Sequence, residues 1–281
     1  MNFISINSPI TICDIGASNC EPTKHIEDLI EANQTEYYGF EPNKEEFEKL
    51  VNSNNKKYFN TAIADGSKKM LTTYNFPGWS SFLKPDKNYI KNFFIDIDRQ
   101  LQIISEQEFL TQKLDEIKFK SSLDLIKIDV QGLESIIIEN GKKTIKNALV
   151  IELELSPIPI YKEEKKFSYV CNQLENIGFN LNMFKEINTK TFKPMIIGGN
   201  PNNGLNTIFQ LDCVFVPELE KIRNLENEKL KKLIKIMFYS YKSYDFVDYL
   251  IQLLDDKQKT NLINEYRKLK LKIEKKYWKQ I

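Results

Sequence analysis

The segment Asp124–Gly141, DLIKIDVQGLESIIIENG, runs from an apolar strand pattern into Asp129, a Gln131–Gly132 pair and a helix pattern. Lys127, Asp129, Gln131 and Glu134 therefore stand at the lip of a buried strand. Burying such groups is costly unless each finds a partner, so they need a structural counterpart or a chemical task. Three features upstream also fall at strand ends. Asp14–Ser18, DIGAS, is a small-residue turn that lets backbone amides approach a ligand and present a helix N-terminus to an anion. Glu41, followed by Pro42, ends the second strand pattern, where a carboxylate can accept two hydrogen bonds from a ribose diol. Asn60–Asp65, NTAIAD, ends the third, with Ala62 and Ile63 giving an adenine ring an apolar face. Turn, acid and third strand end in this order specify an adenosine cofactor, either a dinucleotide or S-adenosylmethionine. A dinucleotide fingerprint reads G-x-G-x-x-G. Here only Gly16 is present, followed by Ala17, Ser18, Asn19 and Cys20, so the turn favours S-adenosylmethionine, with Asp14 facing its ammonium.

The elements that must hold these residues alternate between short apolar runs and helical periodicity, the signature of βαβ units and a mostly parallel sheet. Strand patterns fall at Ile10–Gly16, Thr35–Pro42, Lys56–Asp65, Leu123–Gly132 and Ala148–Pro157, with a late, antiparallel one at Leu205–Val216. Amphipathic helix patterns follow the first, second, fourth and fifth. Lys68–Pro85 reads as a hairpin or irregular insertion, and the stretch from Phe93 to Leu110 as strand followed by helix. From Pro217 the pattern is helical throughout. Ile222, Leu225, Leu233 and Met237 mark one helix, Phe246, Leu250 and Leu254 a second, and Leu262, Tyr266, Leu269, Ile273 and Tyr277 a third. The expected organisation is a domain over residues 1–216 and a helical extension over 217–281, whose one-sided stripes must pack on the body or on another copy of the chain.

Composition excludes several functions. The four cysteines form no C-x-x-C pair and His25 is the single histidine, so zinc sites of Cys and His cannot be assembled. The cysteines are expected to be reduced thiols. No run reaches the length of a membrane span and no basic-then-apolar leader opens the chain, so the cytoplasm is the expected compartment. A net charge of +1 argues against a nucleic-acid partner. Residues 217–281 carry 16 Lys and Arg against 10 Asp and Glu, a basic tail that could touch an anionic surface or a partner.

The blocks TICDIGAS, YYGFEP, NTAIAD, GWSSFLKP, DLIKIDVQGLE and VIELELSPIPIY follow in an order and spacing that resembles the FkbM family of S-adenosylmethionine-dependent methyltransferases, over roughly residues 10–216. The family's Lys-x-Asp-x-(Glu/Gln)-Gly-x-Glu pattern is met at Lys127, Asp129, Gln131, Gly132 and Glu134. The first turn departs from it, with Ser18 and Cys20 where the family usually has Asn and Gly. The resemblance implies a class I methyltransferase-like, Rossmann-like sheet with helices on both faces. It also implies O-methylation of a hydroxyl on a sugar, nucleotide-sugar, glycan or natural product.

Methyl transfer from a sulfonium is an in-line displacement, so the protein must align the partners and take up the hydroxyl proton. Asp129 is the expected general base or metal ligand, and Lys127 the residue that orients a carboxylate. Glu152 and Glu154 share one face of the fifth strand, with Glu154 nearer the mouth. With Asp129 they are candidate oxygen ligands for Mg²⁺ or another divalent cation, which would lower the pKa of the hydroxyl. Glu134 is expected to cap its helix or hold the Gln-Gly turn. Trp79, Ser80, Ser81, Gln131 and Tyr161 are the expected acceptor-binding residues, with the Met195–Asn206 loop closing over the acceptor. Two alternatives stand beside this reading: a catalytically silent module of the same fold, and a nicotinamide-dependent oxidoreductase.

Overall fold

The computed structural model describes residues 1–18 and 23–277, with side chains through Leu271. Apolar runs rich in Ile, Val and Leu become strands where turn formers bound them. In chain order the strands begin with β1 (Ile10–Ile15), β2 (Thr35–Phe40), β3 (Lys56–Phe59), β4 (Ile63–Ala64), β5 (Lys68–Tyr74) and β6 (Ile103–Leu110). They continue with β7 (Gln112–Lys113), β8 (Leu125–Ile128), β9 (Val150–Leu155), β10 (Phe179–Lys190) and β11 (Thr207–Pro217). The helices are α1 (Lys24–Ala32), α2 (Lys44–Phe47), α3 (Lys87–Ile90), α4 (Ile97–Gln100), α5 (Glu134–Asn140) and α6 (Lys142–Ile145). Then come α7 (Phe167–Glu175), α8 (Leu219–Arg223), α9 (Asn227–Tyr239), α10 (Tyr244–Gln258) and α11 (Leu262–Tyr277).

Seven strands form one sheet in the order β10-β11-β9-β8-β1-β2-β3. β1 pairs with β8, β8 with β9 and β2 with β3 in parallel, whereas β11 runs antiparallel to β9. The mostly parallel sheet and the antiparallel late strand are as the alternation led us to expect. Ile126, Ile128, Ile151, Leu153, Cys213 and Phe215 pack in one core with Ile137 and Ile138 of α5 and Val170 and Leu174 of α7. A second core gathers Tyr74, Trp79, Phe93, Ile97, Tyr161 and Phe209.

Four elements differ from the sequence expectations. The third strand stops at Phe59, where Asn60 turns its side-chain amide onto the carbonyls of Glu41 and Pro42. Lys68–Pro85 is not itself a hairpin: β5 pairs antiparallel with the distant β6, from Lys68 opposite Leu110 to Tyr74 opposite Ile103. The expected strand-then-helix after Phe93 is reversed, because short helix α4 precedes β6, which is exposed on both faces except at half-buried Phe109. The first tail helix is two, α8 and α9, broken where Asn224 donates its side-chain amide to the Glu220 carbonyl.

By internal packing the chain divides into two compact units: residues 1–10, 23–36 and 217–281, and residues 11–22 and 37–216. In the first, α9 packs on α1 and α10, and α10 on α11. Glu228 accepts the Asn7 amide at 2.6 Å, and Lys232 donates to the Pro9 carbonyl at 2.6 Å. Asp255 receives the amides of Leu262 and Ile263 and so joins α10 to α11. No described helix is long and apolar enough to cross a membrane. Cys13, Cys171 and Cys213 are free thiols, and Cys20 lies outside the described residues.

Candidate functional site

Strand register supplies the partners that the buried polar residues need. Asp14 of β1 stands beside Lys127 of β8, and Lys127 beside Glu152 of β9, so an acid–base–acid row crosses the middle of the sheet. Burial opposes the Lys127 charge, but Asp129, Asp14 and Glu152 outweigh it and hold the ammonium well above its usual range. Its Nζ lies 3.1 Å from Asp129 Oδ2 and 3.9 Å from Asp14 Oδ1. Glu152 is paired on its other side by Lys185 of β10 at 2.6 Å, which also reaches Asp212 of β11 at 2.8 Å.

The turn after β8 is built around two left-handed residues, Gln131 (φ 57°) and Gly132 (φ 106°). A non-glycine residue there costs roughly 1–3 kcal/mol and persists only when its surroundings fix it. Ser81 does so by donating its hydroxyl to the Gln131 carbonyl at 2.6 Å. Glu134 Oε1 accepts the amides of Val130 and Gly132, both at 3.2 Å. Burial pushes the Glu134 carboxyl up to about 8, against the pull of backbone amides. This residue holds the turn from the first position of α5.

The turn aims Gln131 at the carboxyl ends of β8 and β9. Its amide nitrogen donates to Asp129 Oδ1 at 3.1 Å and to Glu154 Oε2 at 2.9 Å. Carboxylates only accept, so the amide oxygen faces the other way, where the Tyr161 hydroxyl donates to it at 2.9 Å. Burial holds that phenol well above its ordinary pKa and keeps it a donor. Gln210 adds a second amide to Glu154 Oε2 at 2.8 Å.

Beside this network lies a cavity of about 620 Å³, lined among others by Trp79, Phe94, Phe209, Gln131, Glu154 and Gln210. Trp79 is 5% exposed, donates from Nε1 to Gln100 at 2.9 Å, and meets Phe94 and Tyr161 edge to face. Ser80 accepts the Tyr74 amide, and Ser81 accepts that of Leu83; neither hydroxyl lines the cavity.

At the other side of Asp129 stand the first strand ends. Asp129 N donates to the Ile15 carbonyl, and Gly16, at φ 90°, is so close that a Cβ there would lie 1.8 Å from the Asp129 carbonyl oxygen. The amides of Gly16 and Ala17 both donate to the Phe40 carbonyl. The turn therefore contributes closeness rather than those two donors, which corrects the expectation that they would face a ligand. Ser18 closes the turn with its amide on the Gly16 carbonyl.

Asp14 accepts the Tyr37 hydroxyl on Oδ2 at 2.7 Å, while its buried Oδ1 has no hydrogen-bond partner. Glu41 follows β2, buried, with the Asn43 amide on Oε1 at 2.7 Å. Burial pushes its carboxyl up to about 7, against that hydrogen bond. Pro42 is half-buried, and Ala62 and Ile63 are both buried, Ile63 within the main core. A buried carboxylate oxygen that accepts no hydrogen bond, with only the Lys127 ammonium at 3.9 Å, and a second buried carboxylate at the adjacent strand end fit the ammonium and the ribose of an adenosyl sulfonium.

The same residues do not fit the expected divalent cation. Asp129 is held by Lys127 and Gln131, Glu152 by Lys185, and Glu154 by two carboxamides. Among the described residues no three Asp, Glu, His or Cys are grouped to hold a metal ion. Sequence reasoning missed Tyr37, Lys185, Gln210 and Asp212. The last three face the site from β10 and β11, and β10 had not been read as a strand.

A seven-stranded, mostly parallel sheet with β11 antiparallel beside β9, and acids at the carboxyl ends of β1, β2 and β8, defines a class I methyltransferase fold. The chain belongs to the FkbM methyltransferases: the family model described as the methyltransferase FkbM domain matches residues 14–181. Among solved structures it is similar to methyltransferase FkbM from Methylobacillus flagellatus KT, at 10% identity and a TM-score of 0.42 over 74% of this chain and 43% of that one. It is also similar to magnesium protoporphyrin IX methyltransferase from Synechocystis PCC 6803 with bound S-adenosylmethionine, at 11% identity and a TM-score of 0.38 over 75% and 71%. Comparison with curated proteins gives no match.

Proposed function

We propose that the chain is an S-adenosylmethionine-dependent O-methyltransferase that methylates a hydroxyl of a sugar, nucleotide-sugar or glycan in the cytoplasm. The observation that carries this reading is the Asp129–Gln131–Glu154 network at the strand ends, opening on a cavity walled by Trp79 and Phe94. Bound S-adenosylmethionine supplies an electrophilic methyl group. Glu41 holds the ribose diol and Asp14 the ammonium. Asp129 would take up the acceptor hydroxyl's proton as that oxygen receives the methyl group and the sulfonium leaves as a neutral thioether. Lys127 and Gln131 fix the direction of its two oxygens, and Glu154 anchors the acceptor side through Gln131 and Gln210. Trp79 lines the acceptor cavity, whereas Tyr161, expected from the sequence to touch the acceptor, is buried behind it and acts through Trp79 and Gln131.

Mass spectrometry of glycans and sugar nucleotides from cells with and without the gene tests the reading. A product heavier by one methyl group in the presence of the gene supports it, and identical profiles contradict it. Turnover is expected to be unchanged by EDTA, since the carboxylates are already held by ammonium and amide groups; loss of turnover restored by Mg²⁺ would revive the metal-bound site.

Cofactor affinity is expected to follow the Glu41 carboxyl. Ribose hydroxyls donate to the ionised form, so binding favours deprotonation, and affinity rises with pH through about 7. Below that value it should weaken by up to about tenfold per pH unit. Calorimetric titrations across this range check it, with Glu41→Gln expected to bind weakly and without the slope.

A further inference from the structure

The acceptor cavity has one basic residue in its wall. Of its lining side chains two are charged, Glu154 and Lys190. Glu154 is already engaged by the amides of Gln131 and Gln210. Lys190, the last residue of β10, is half-buried, and its ammonium lies 5.0 Å from the centroid of Phe94. Among the described residues no carboxylate pairs with it, and burial alone moves its pKa, downward.

This differs from the other half-buried lysine on the same strand, Lys185, which holds two carboxylates at 2.6 and 2.8 Å. A half-buried ammonium facing an aromatic ring is held less strongly than one in a well-formed ion pair from which water is excluded. Asn188, Asn202 and Gln100 surround the same space with uncharged carboxamides suited to hydroxyl groups.

We infer that the methyl acceptor is an anionic sugar, whose carboxylate or phosphate is bound by Lys190 while Trp79 and Phe94, packed edge to face, form one wall beside the ring. The inference rests on the proposed role of this cavity as the acceptor site. It makes Lys190 a specificity-determining residue: a neutral sugar leaves the ammonium without a counterion, and an anionic one supplies it.

The test is a calorimetric titration of the full chain, with S-adenosylmethionine present, using methyl glucuronide, glucose 6-phosphate and methyl glucoside. At least one anionic probe is expected to bind about tenfold or more tightly than the neutral glycoside, and the tighter of the two identifies the anion. Lys190→Gln should remove that preference, Lys190→Arg should keep it, and both should retain the wild-type affinity for S-adenosylmethionine. Equal binding of all three sugars, no binding of either anion, or a preference that survives Lys190→Gln overturns the inference. A titration with S-adenosylmethionine alone separates the two layers. Failure there with the anion preference intact removes the methyltransferase reading and leaves the anion site.

Discussion

Replacing Asp129 by alanine is expected to lower methyl transfer on the order of a thousandfold while changing S-adenosylmethionine affinity by less than about tenfold. The separation follows from the contacts. Asp129 faces Lys127 and Gln131, whereas the groups assigned to the cofactor are Asp14 and Glu41 on neighbouring strand ends. Removing the Asp129 carboxylate does not strand the Lys127 ammonium, because Asp14 and Glu152 still flank it in register. Asp129→Asn keeps the volume and the Gln131 contact but cannot take up a proton and turns an NH2 to the Lys127 ammonium, so it should lose turnover together with a few degrees of melting temperature. Single-turnover kinetics beside calorimetry read the two effects apart. A loss of cofactor binding as large as the loss of rate would mean that Asp129 serves the cofactor instead.

Gly16→Ala is the substitution expected to damage the fold most. The new Cβ would sit 1.8 Å from the Asp129 carbonyl oxygen, at φ 90°. Both obstacles are backbone, so no rotamer change relieves them; β1 and β8 would have to separate where Asp129 N bonds Ile15 O. Left-handed strain of roughly 1–2 kcal/mol adds to an overpacking cost of roughly 1–3 kcal/mol or more. For a chain of this size that corresponds to a fall in melting temperature on the order of 10 °C. Gly199→Ala is the control, since it has positive φ (73°) but nothing within 4 Å of the new Cβ. It should cost only the left-handed strain, roughly 1–2 kcal/mol. Equal melting temperatures for the two variants would contradict the close approach of the two strand ends.

The strand ends were legible in the sequence because the signal is local: an apolar run that stops at an acid or a small-residue turn. Asp14, Glu41 and Asp129 all stand where that pattern places them. Gln131 and Gly132 were legible as a turn, though not the way one carboxamide spans Asp129 and Glu154. What failed to show is registry between distant segments. Asp14, Lys127 and Glu152 become neighbours only when three strands align, and β5 finds β6 across a long insertion. β10 was missed because its FNLNMFKEINTK run is largely exposed and mixes polar and apolar residues on each face. With it went Lys185 and Lys190. Ser81 was read as an acceptor contact, and the structure uses its hydroxyl on the Gln131 turn.

The central claim is that the carboxyl ends of β1, β2 and β8 hold S-adenosylmethionine. Calorimetric titration of the full chain with that compound tests it most directly. Saturable binding near one molecule per chain, strengthening as pH rises through about 7 and lost in Glu41→Ala, is the result expected. No binding at millimolar ligand across that pH range would contradict it.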